Sequence, residues 1–390
     1  MASVPRPDPA WLHHAATVGV EGIADAVLDA CAVEGRVAAP SSQRILVSEP
    51  LGGWANPRLL GWLHEWASSS AERNDRGAHY TPPDFAAAVV DAALDGWELP
   101  VFTVDPACGG GVFLLEMLDR LVASGVAPAD CVDRVGGIEI DRGAADVASM
   151  AIRAWQLQHG VAAPKPAQIA VMDALERWPG AWPDPGLVIG NPPFASPLKS
   201  GAIPEEAAAY RNHHSEVLGP YADLAAIHMW RASQVLHDGG RLAFVAPVSI
   251  INARDTGRMW ERFEAEADAI SVLIPESNPF DASVRVFVPV FEIRRQPASG
   301  RRSLSRAVGE AIGLPPLPIA EGAPTLATIC TATSGFRDEF YGLAEAVEEE
   351  NLQATELRKL VTVGSIDPLT CTWGVSPLRF AKARWNRPVV

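Results

Sequence analysis

The chain has 390 residues, a length that predicts two or three domains. Hydrophobic residues make up 48% and charged residues 20%, so a sizeable core can form and a disordered chain is excluded. Thirty-two basic against 47 acidic residues leave a net charge of −15, which argues against strong autonomous nucleic-acid binding while leaving room for a local basic face.

The N-terminus, MASVPRPDPAW, lacks the basic and apolar regions of a signal peptide, and no apolar run approaches the roughly 20 residues that span a bilayer. Five widely spaced cysteines, none in a CxxC pair, exclude a disulfide scaffold and a zinc finger. The expectation is a soluble cytoplasmic protein that works without a membrane.

Residues 1–75 read as an N-terminal helical region, with apolar stretches at Val18–Val27 and Leu59–Trp66 and a break at Pro40–Ser42. From 76 to 296 short apolar runs alternate with amphipathic ones. Strands are predicted at Val101–Asp105, Val135–Asp141, Ile169–Asp173, Leu187–Gly190, Arg241–Ala246, Ala269–Ile274 and Val284–Ile293. Helices are predicted near 84–94, 112–124, 143–158, 222–236 and 255–267. This alternation predicts an α/β fold, a doubly wound and mostly parallel sheet with ligands beyond the C-terminal ends of its strands. After Arg295 the pattern changes, and 297–390 reads as a linker and the start of a further domain: Arg294, Arg295, Arg301, Arg302 and Arg306 make a basic stretch, followed by a Pro-rich loop at Leu314–Pro318. A helix is predicted near 338–350 with an acidic end at Glu348–Glu350, and then a tail carrying Arg379, Lys382, Arg384 and Arg387.

Chemistry-bearing residues gather after the strands. Asp105-Pro106-Ala107-Cys108-Gly109-Gly110-Gly111 links a strand to a helix, a place where backbone N–H groups cradle a polar or anionic ligand and glycine allows close approach. It contains neither GxGxxG nor GxxxxGK[ST], and a plain tight turn fits the glycines equally well. Glu139, near the end of the next strand, can accept hydrogen bonds from both ribose hydroxyls of a nucleoside, or serve as a helix N-terminal charge. Asp173 ends the third strand, either as an acceptor for an adenine amine or as a cap for Ala174–Arg177. In Asn191-Pro192-Pro193-Phe194 the prolines remove N–H donors, leaving acceptors beside a flat aromatic, which suits a planar base with an exocyclic amine. Thr81-Pro82-Pro83-Asp84 also works as a helix start with Thr81 as N-cap.

Taken together these strings resemble the S-adenosylmethionine-dependent DNA N6-adenine methyltransferases of restriction-modification and phage-defence systems, in the gamma-class motif order. Gly77-Ala78-His79-Tyr80-Thr81-Pro82 resembles the family's first motif, Asp105–Gly111 its DPACGSG motif with Gly110 in place of Ser, and Asn191–Phe194 its NPPF/NPPY motif. The resemblance covers 77 to about 295, with five motifs in order. It implies a Rossmann-like class I methyltransferase fold with a partial C-terminal domain, and S-adenosylmethionine as cofactor without a metal. It implies Asn191, Pro192, Pro193 and Phe194 as the catalytic set. The cofactor set it implies is Tyr80, Thr81, Pro82, Asp105, Pro106, Ala107, Cys108, Gly109, Gly111, Glu139, Ile140 and Asp173. Phe194 and Phe280 are the implied base-stacking residues, with burial in the local core as the other reading of Phe280.

The implied substrate is adenine in double-stranded DNA, flipped out of the helix. The run from Thr362 to Gly374 is similar to the opening strands of a target-recognition domain, so the expectation is that the base-reading part is absent, truncated or supplied by a separate specificity subunit. Two other readings stay open: a methyltransferase acting on protein glutamine or an RNA base, and a non-catalytic subunit that binds the cofactor and a partner.

Overall fold

The computed structural model describes residues 25–37, 56–67, 81–195, 203–277, 279–280, 284–296 and 301–314, together with 343–350, 357–362, 366–367, 370–375 and 377–390. The chain divides into two compact units, Met1–Pro316 and Leu317–Val390.

In the first unit the strands are β1 (Thr103–Asp105), β2 (Val135–Glu139), β3 (Ile169–Val171), β4 (Leu187–Gly190), β5 (Arg241–Phe244), β6 (Ala246–Pro247), β7 (Ala267–Leu273) and β8 (Val286–Ile293). They form one sheet in the order β3-β2-β1-β4-β5-β8, with β7 also paired to β8 and β6 along the start of β8. The pairs from β3 to β5 are parallel, whereas β8 runs antiparallel to both β5 and β7. The expected strand Arg241–Ala246 is interrupted at Val245. It resumes as β6 without losing register, since Arg241 faces Glu292 and Ala246 faces Phe287.

The helices are α1 (25–34), α2 (Arg58–Ala67), α3 (Pro83–Leu94), α4 (Val112–Ala123), α5 (Arg142–Gln158), α6 (Glu205–His213), α7 (Leu224–Val235), α8 (Gly257–Glu266) and α9 (Leu304–Ala311). They cover both faces of the sheet. Because successive strand residues point to opposite faces, Leu187 and Ile189 pack under α3, α4 and α5, whereas Val188 packs with α7 and α8. Phe287 and Phe291 extend the second core, while Val286, Val288 and Val290 belong to the first. Burial from both sides explains why β4 and β8 read as unbroken apolar runs.

Three expectations need correction. The expected boundary at 296 falls short of the observed break, because Leu304 and Ala307 of α9 pack into the second core against β7. Nor is the N-terminal region separate, since α2 lies on α5 and α4 inside the same unit. Of the helix expected near 338–350, residues 338–342 lie outside the described residues, 343–346 are helical, and Glu348–Glu349 is a strand paired with Pro388–Val389. The Glu349 carboxylate accepts the N–H groups of Asn386 (2.6 Å) and Arg387 (2.8 Å), which holds an extended backbone.

The other described strands of the second unit form small antiparallel pairs. Ile366–Asp367 pairs with Thr370–Cys371 and Leu378–Phe380 with Ala383–Trp385, around buried Leu360, Leu378 and Phe380. Among the described residues, no helix is long and apolar enough to cross a membrane.

Candidate active site

The sheet order reverses at β1, with β2 and β3 on one side and β4 and β5 on the other. The loops leaving β1 and β4 therefore diverge and open a crevice at their C-terminal ends, the usual ligand position in such sheets. Asp105–Gly111 leaves β1 there and Asn191–Phe194 leaves β4.

Asp105 is buried at 1% exposure. Its Oδ1 accepts the N–H of Ala107 at 3.0 Å, while its buried Oδ2 has no hydrogen-bond partner among the described residues. Gly190 lies against it: a Cβ there would sit 2.4 Å from Asp105 Oδ1, so only glycine fits. Burial pushes the Asp105 carboxyl up to about 8, against the pull of the Ala107 N–H and with a smaller push from the charge of Glu139.

The glycine loop turns through left-handed Gly109 (φ 50°) and Gly111 (φ 84°), conformations that strain any other residue. It is closed by Gly111 N–H to Cys108 O (2.7 Å) and anchored to β2 by Cys108 N–H to Ile138 O (3.0 Å). Glu139 joins two loops, its Oε2 accepting Gly109 N–H (2.8 Å) and its Oε1 accepting Asp141 N–H (2.9 Å). Burial raises the Glu139 carboxyl despite these donors. Ile140, beside it, is 67% exposed. Burial also raises the Cys108 thiol far above its ordinary range, so Cys108 serves as a packed wall and not as a nucleophile.

The expected strands overran the site. β2 ends at Glu139, and Asp141 is instead the N-cap of α5, accepting Ala144 N–H at 3.1 Å. β3 ends at Val171, so Asp173 sits in the following loop, where its Oδ1 accepts Leu175 N–H at 2.8 Å. Asp173 thus fills the capping role, on a turn where a helix was expected.

Thr81 does not cap α3. The N-cap is Pro82, without a side-chain cap bond, and Pro83 opens the helix. The buried Thr81 hydroxyl instead accepts Asn191 Nδ2 at 3.1 Å, joining the segment before α3 to the loop after β4. Pro192 is buried and Pro193 and Phe194 half-buried, with Phe194 packed on the first core. Leu224 N–H bonds to Ala195 O at 2.9 Å and pins the end of this loop to α7. Tyr80 lies outside the described residues. Phe280 departs from expectation: at 8% exposure it packs edge-on to Phe85 with ring centroids 6.0 Å apart, so it belongs to the core rather than offering an open stacking face.

Two positions that sequence reasoning passed over complete the cradle. Gly61 of α2 lies against Gly110, where a Cβ would come within 2.3 Å of Gly61 Cα. The place that resembles a serine position thus carries glycine because a helix backbone presses on it. An isolated glycine inside the apolar pattern Leu59–Trp66 was the available signal. Arg58 holds that helix down, bonding Glu116 Oε1 at 2.7 Å and also reaching Asp119 on α4. Gly110→Ser is expected to destabilise the fold by about 1–3 kcal/mol, readable in urea unfolding; an unchanged midpoint would mean that α2 does not press on the loop. Among the described residues, no group of three or more His, Cys, Asp or Glu is placed to hold a metal.

Comparison with known proteins agrees with this geometry. A type II methyltransferase, M.CvrRI of Paramecium bursaria Chlorella virus XZ-6E, is 26% identical over 246 residues, covering 63% of this chain and 55% of the viral protein. The chain therefore spans about half the length of the curated relative it matches. The type IIL restriction-modification enzyme MmeI in complex with DNA superimposes with TM-score 0.51 at 17% identity, over 63% of this chain and 41% of MmeI. The DrdV–DNA complex gives 0.50 at 18% identity, over 62% and 29%. The two structural likenesses show a shared fold. Residues 59–275, more than half of the chain, match the N-6 DNA Methylase family, and the chain belongs to that family.

Proposed function

We propose that this chain transfers a methyl group from S-adenosylmethionine to the N6 amine of adenine in double-stranded DNA, as part of a restriction-modification or phage-defence system. The observation that carries this reading is the placement of Asn191 at the switch-point crevice, with its amide oriented by the Thr81 hydroxyl.

The residues beside β1 fit the cofactor. Asp105 brings a buried carboxyl oxygen with no partner among the described residues, Gly109 and Gly111 a left-handed cradle, and Glu139 a carboxylate with lone pairs beyond the two N–H groups it accepts. Pro106, Ala107, Cys108, Ile140, Asp173 and the segment Tyr80-Thr81-Pro82 complete the proposed cofactor set. When bound, S-adenosylmethionine supplies an electrophilic methyl on a sulfonium.

The chain's own residues do the rest. Nδ2 of Asn191 donates to Thr81, which commits Oδ1 as the acceptor. Hydrogen bonds from the adenine amine to Asn191 Oδ1 and the Pro192 carbonyl draw the nitrogen lone pair out of the ring and make N6 the nucleophile. Catalysis is then positioning plus fixed dipoles. The base must leave the duplex to reach this loop, and Phe194 is the proposed face for it. Proton loss from the methylated nitrogen goes to water. The acidic balance of the chain supports leaving sequence recognition to another module or to a specificity subunit. Work on DNA, with all described cysteines free, suits the cytoplasm.

The buried acid gives a pH signature. Asp105, at about 8 in the fold against an ordinary 3.8, holds a proton that the unfolded chain has lost. Its contribution to stability therefore falls as pH rises from about 4 to about 8 and is level above that. Asp105→Asn removes this slope, on the order of a few kcal/mol, and the variant's melting temperature is expected to change less than wild type between pH 5 and 8. Equal slopes would contradict the buried acid.

The function is tested by offering labelled S-adenosylmethionine with unmethylated duplex DNA, total RNA and protein lysate in parallel. The expected result is label in duplex DNA. Label confined to RNA or protein overturns the DNA reading.

A further inference from the structure

The sequence's densest basic stretch is spent inside its own unit. Arg294 pairs with Asp268 (2.9 Å) and Glu292 (2.6 Å), Arg306 pairs with Glu310 (3.0 Å), and Arg302 also reaches Glu310. Arg295 bonds the carbonyls of Leu236 and Ser233, both at 2.9 Å, and Arg301 those of Arg294 and Gln296. These arginines hold the edge of the sheet together, with little left to offer a polyanion.

A different set is uncommitted. Arg254, Arg258 and Arg285 are exposed, and none makes an ion pair or side-chain hydrogen bond with the described residues. The segments that bear them are linked by backbone bonds to the loop that carries Asn191. Val245 N–H bonds to Gly190 O at 3.0 Å, so the chain leaves β5 next to the point where it leaves β4. It then pairs through β6 with the start of β8, where Val248 N–H bonds to Arg285 O at 2.9 Å.

The turn bearing Arg254 is tied to the same loop from the other side. Asp255 O accepts Gly219 N–H (2.8 Å), and its Oδ1 accepts Tyr221 N–H (3.1 Å). Three residues after Tyr221, Leu224 bonds to Ala195. A Cβ at Gly219 would lie 2.3 Å from Asp255 Oδ1, so the two segments are packed tightly. Between Phe244 and Trp260 the only acid is Asp255, and its carboxylate already accepts a backbone donor. Tyr221 adds an aromatic ring, 53% exposed, with a hydroxyl donor.

We propose that Arg254, Arg258 and Arg285, with Tyr221, form the surface on which the catalytic unit holds the phosphate backbone of duplex DNA beside its target base. On a chain of charge −15, exposed arginines that no described carboxylate holds are what backbone contact requires. Arginine and tyrosine donors position a duplex without reading its sequence. The inference rests on the DNA reading proposed above, and it adds where the duplex lies.

The test compares the 390-residue wild type with the triple variant Arg254→Ala/Arg258→Ala/Arg285→Ala, using fluorescence anisotropy on a labelled 30-mer DNA duplex over a series of salt concentrations. The triple variant is expected to lose about 10- to 100-fold in affinity at low salt, equally on unrelated sequences. Its plot of log K against log salt should be shallower by about 2.7, three contacts at roughly 0.9 each. Unchanged cofactor affinity and melting temperature show that the variant is folded. Equal affinity and equal salt slope in the two proteins overturn the surface, as does a wild type that binds no duplex at low salt or prefers duplex RNA. Failure of the function reading looks different: the wild type binds duplex through these arginines, yet label from S-adenosylmethionine goes to another acceptor.

Discussion

Asn191→Ala is expected to lower the rate of methyl transfer by about 10²- to 10³-fold, the usual cost of deleting one pre-positioned polar group at a reacting centre. Most of the proposed cofactor set lies on the β1 and β2 loops, so cofactor affinity measured by calorimetry should move much less than the rate. Thr81→Val probes the same point from one step away. It keeps the shape of the side chain and removes the hydroxyl that accepts Asn191 Nδ2 at 3.1 Å. The amide then loses its fixed orientation, and the rate should fall by about tenfold, the worth of one net hydrogen bond. Single-turnover kinetics with saturating cofactor separate the two effects. A Thr81→Val enzyme as fast as wild type would mean that the amide is oriented by something else.

Arg241→Met should have the largest effect on stability. Arg241, at 4% exposure, stands at the start of β5, and its Nη1 donates to the carbonyls of Ala93 and Asp95, each at 2.9 Å. Nε reaches Glu292 Oε2 at 3.2 Å on β8, and the guanidinium lies 4.8 Å from the Trp97 ring centroid. One side chain thus ties the C-terminal end of α3, the helix that Thr81 precedes, to two strands of the sheet.

Methionine fills the volume but strands two carbonyls and a buried carboxylate, and Glu292 keeps only its bond from the half-exposed Arg294. Breaking a buried pair in this way costs about 3–5 kcal/mol. Urea unfolding measures it, and adding Glu292→Gln should recover part of the loss because the stranded charge is gone. A loss under about 1 kcal/mol would mean that the pair is not buried as described.

The sheet was legible where a strand is covered on both faces. Leu187–Gly190 was predicted to the residue because burial on each side demands apolar residues throughout. The ends were less legible where strand geometry gives way to site chemistry. Asp141 caps a helix and Asp173 a turn, and periodicity alone does not separate a capping acid from the end of a strand. α9 was hidden because its Leu304 and Ala307 lie among arginines, and charge obscured a short helical spacing. α6 was missed for a similar reason, being polar with only Ala207 buried.

In the candidate site, local strings were readable and distant contacts were not. The glycine loop, Glu139 and Asn191–Phe194 each announce themselves within a few residues. The bond from Asn191 to Thr81 spans 110 residues, and the Gly61–Gly110 contact depends on how α2 crosses the loop. Phe280 was assigned to the base by resemblance alone, and the ring that lies across its edge, Phe85, is far away in sequence. Nor could composition show which arginines are committed: the dense run at 294–306 is paired, whereas the scattered Arg254, Arg258 and Arg285 make no ion pair with the described residues.

The most direct test of the central claim is the identity of the methylated atom. Duplex DNA incubated with the wild-type chain and S-adenosylmethionine is digested to nucleosides and separated by mass spectrometry, with the Asn191→Ala chain treated in parallel. N6-methyladenine formed by the wild type and lost in the variant is the predicted result. Methyl groups on any other atom, or N6-methyladenine made equally by both chains, would contradict the assignment of Asn191.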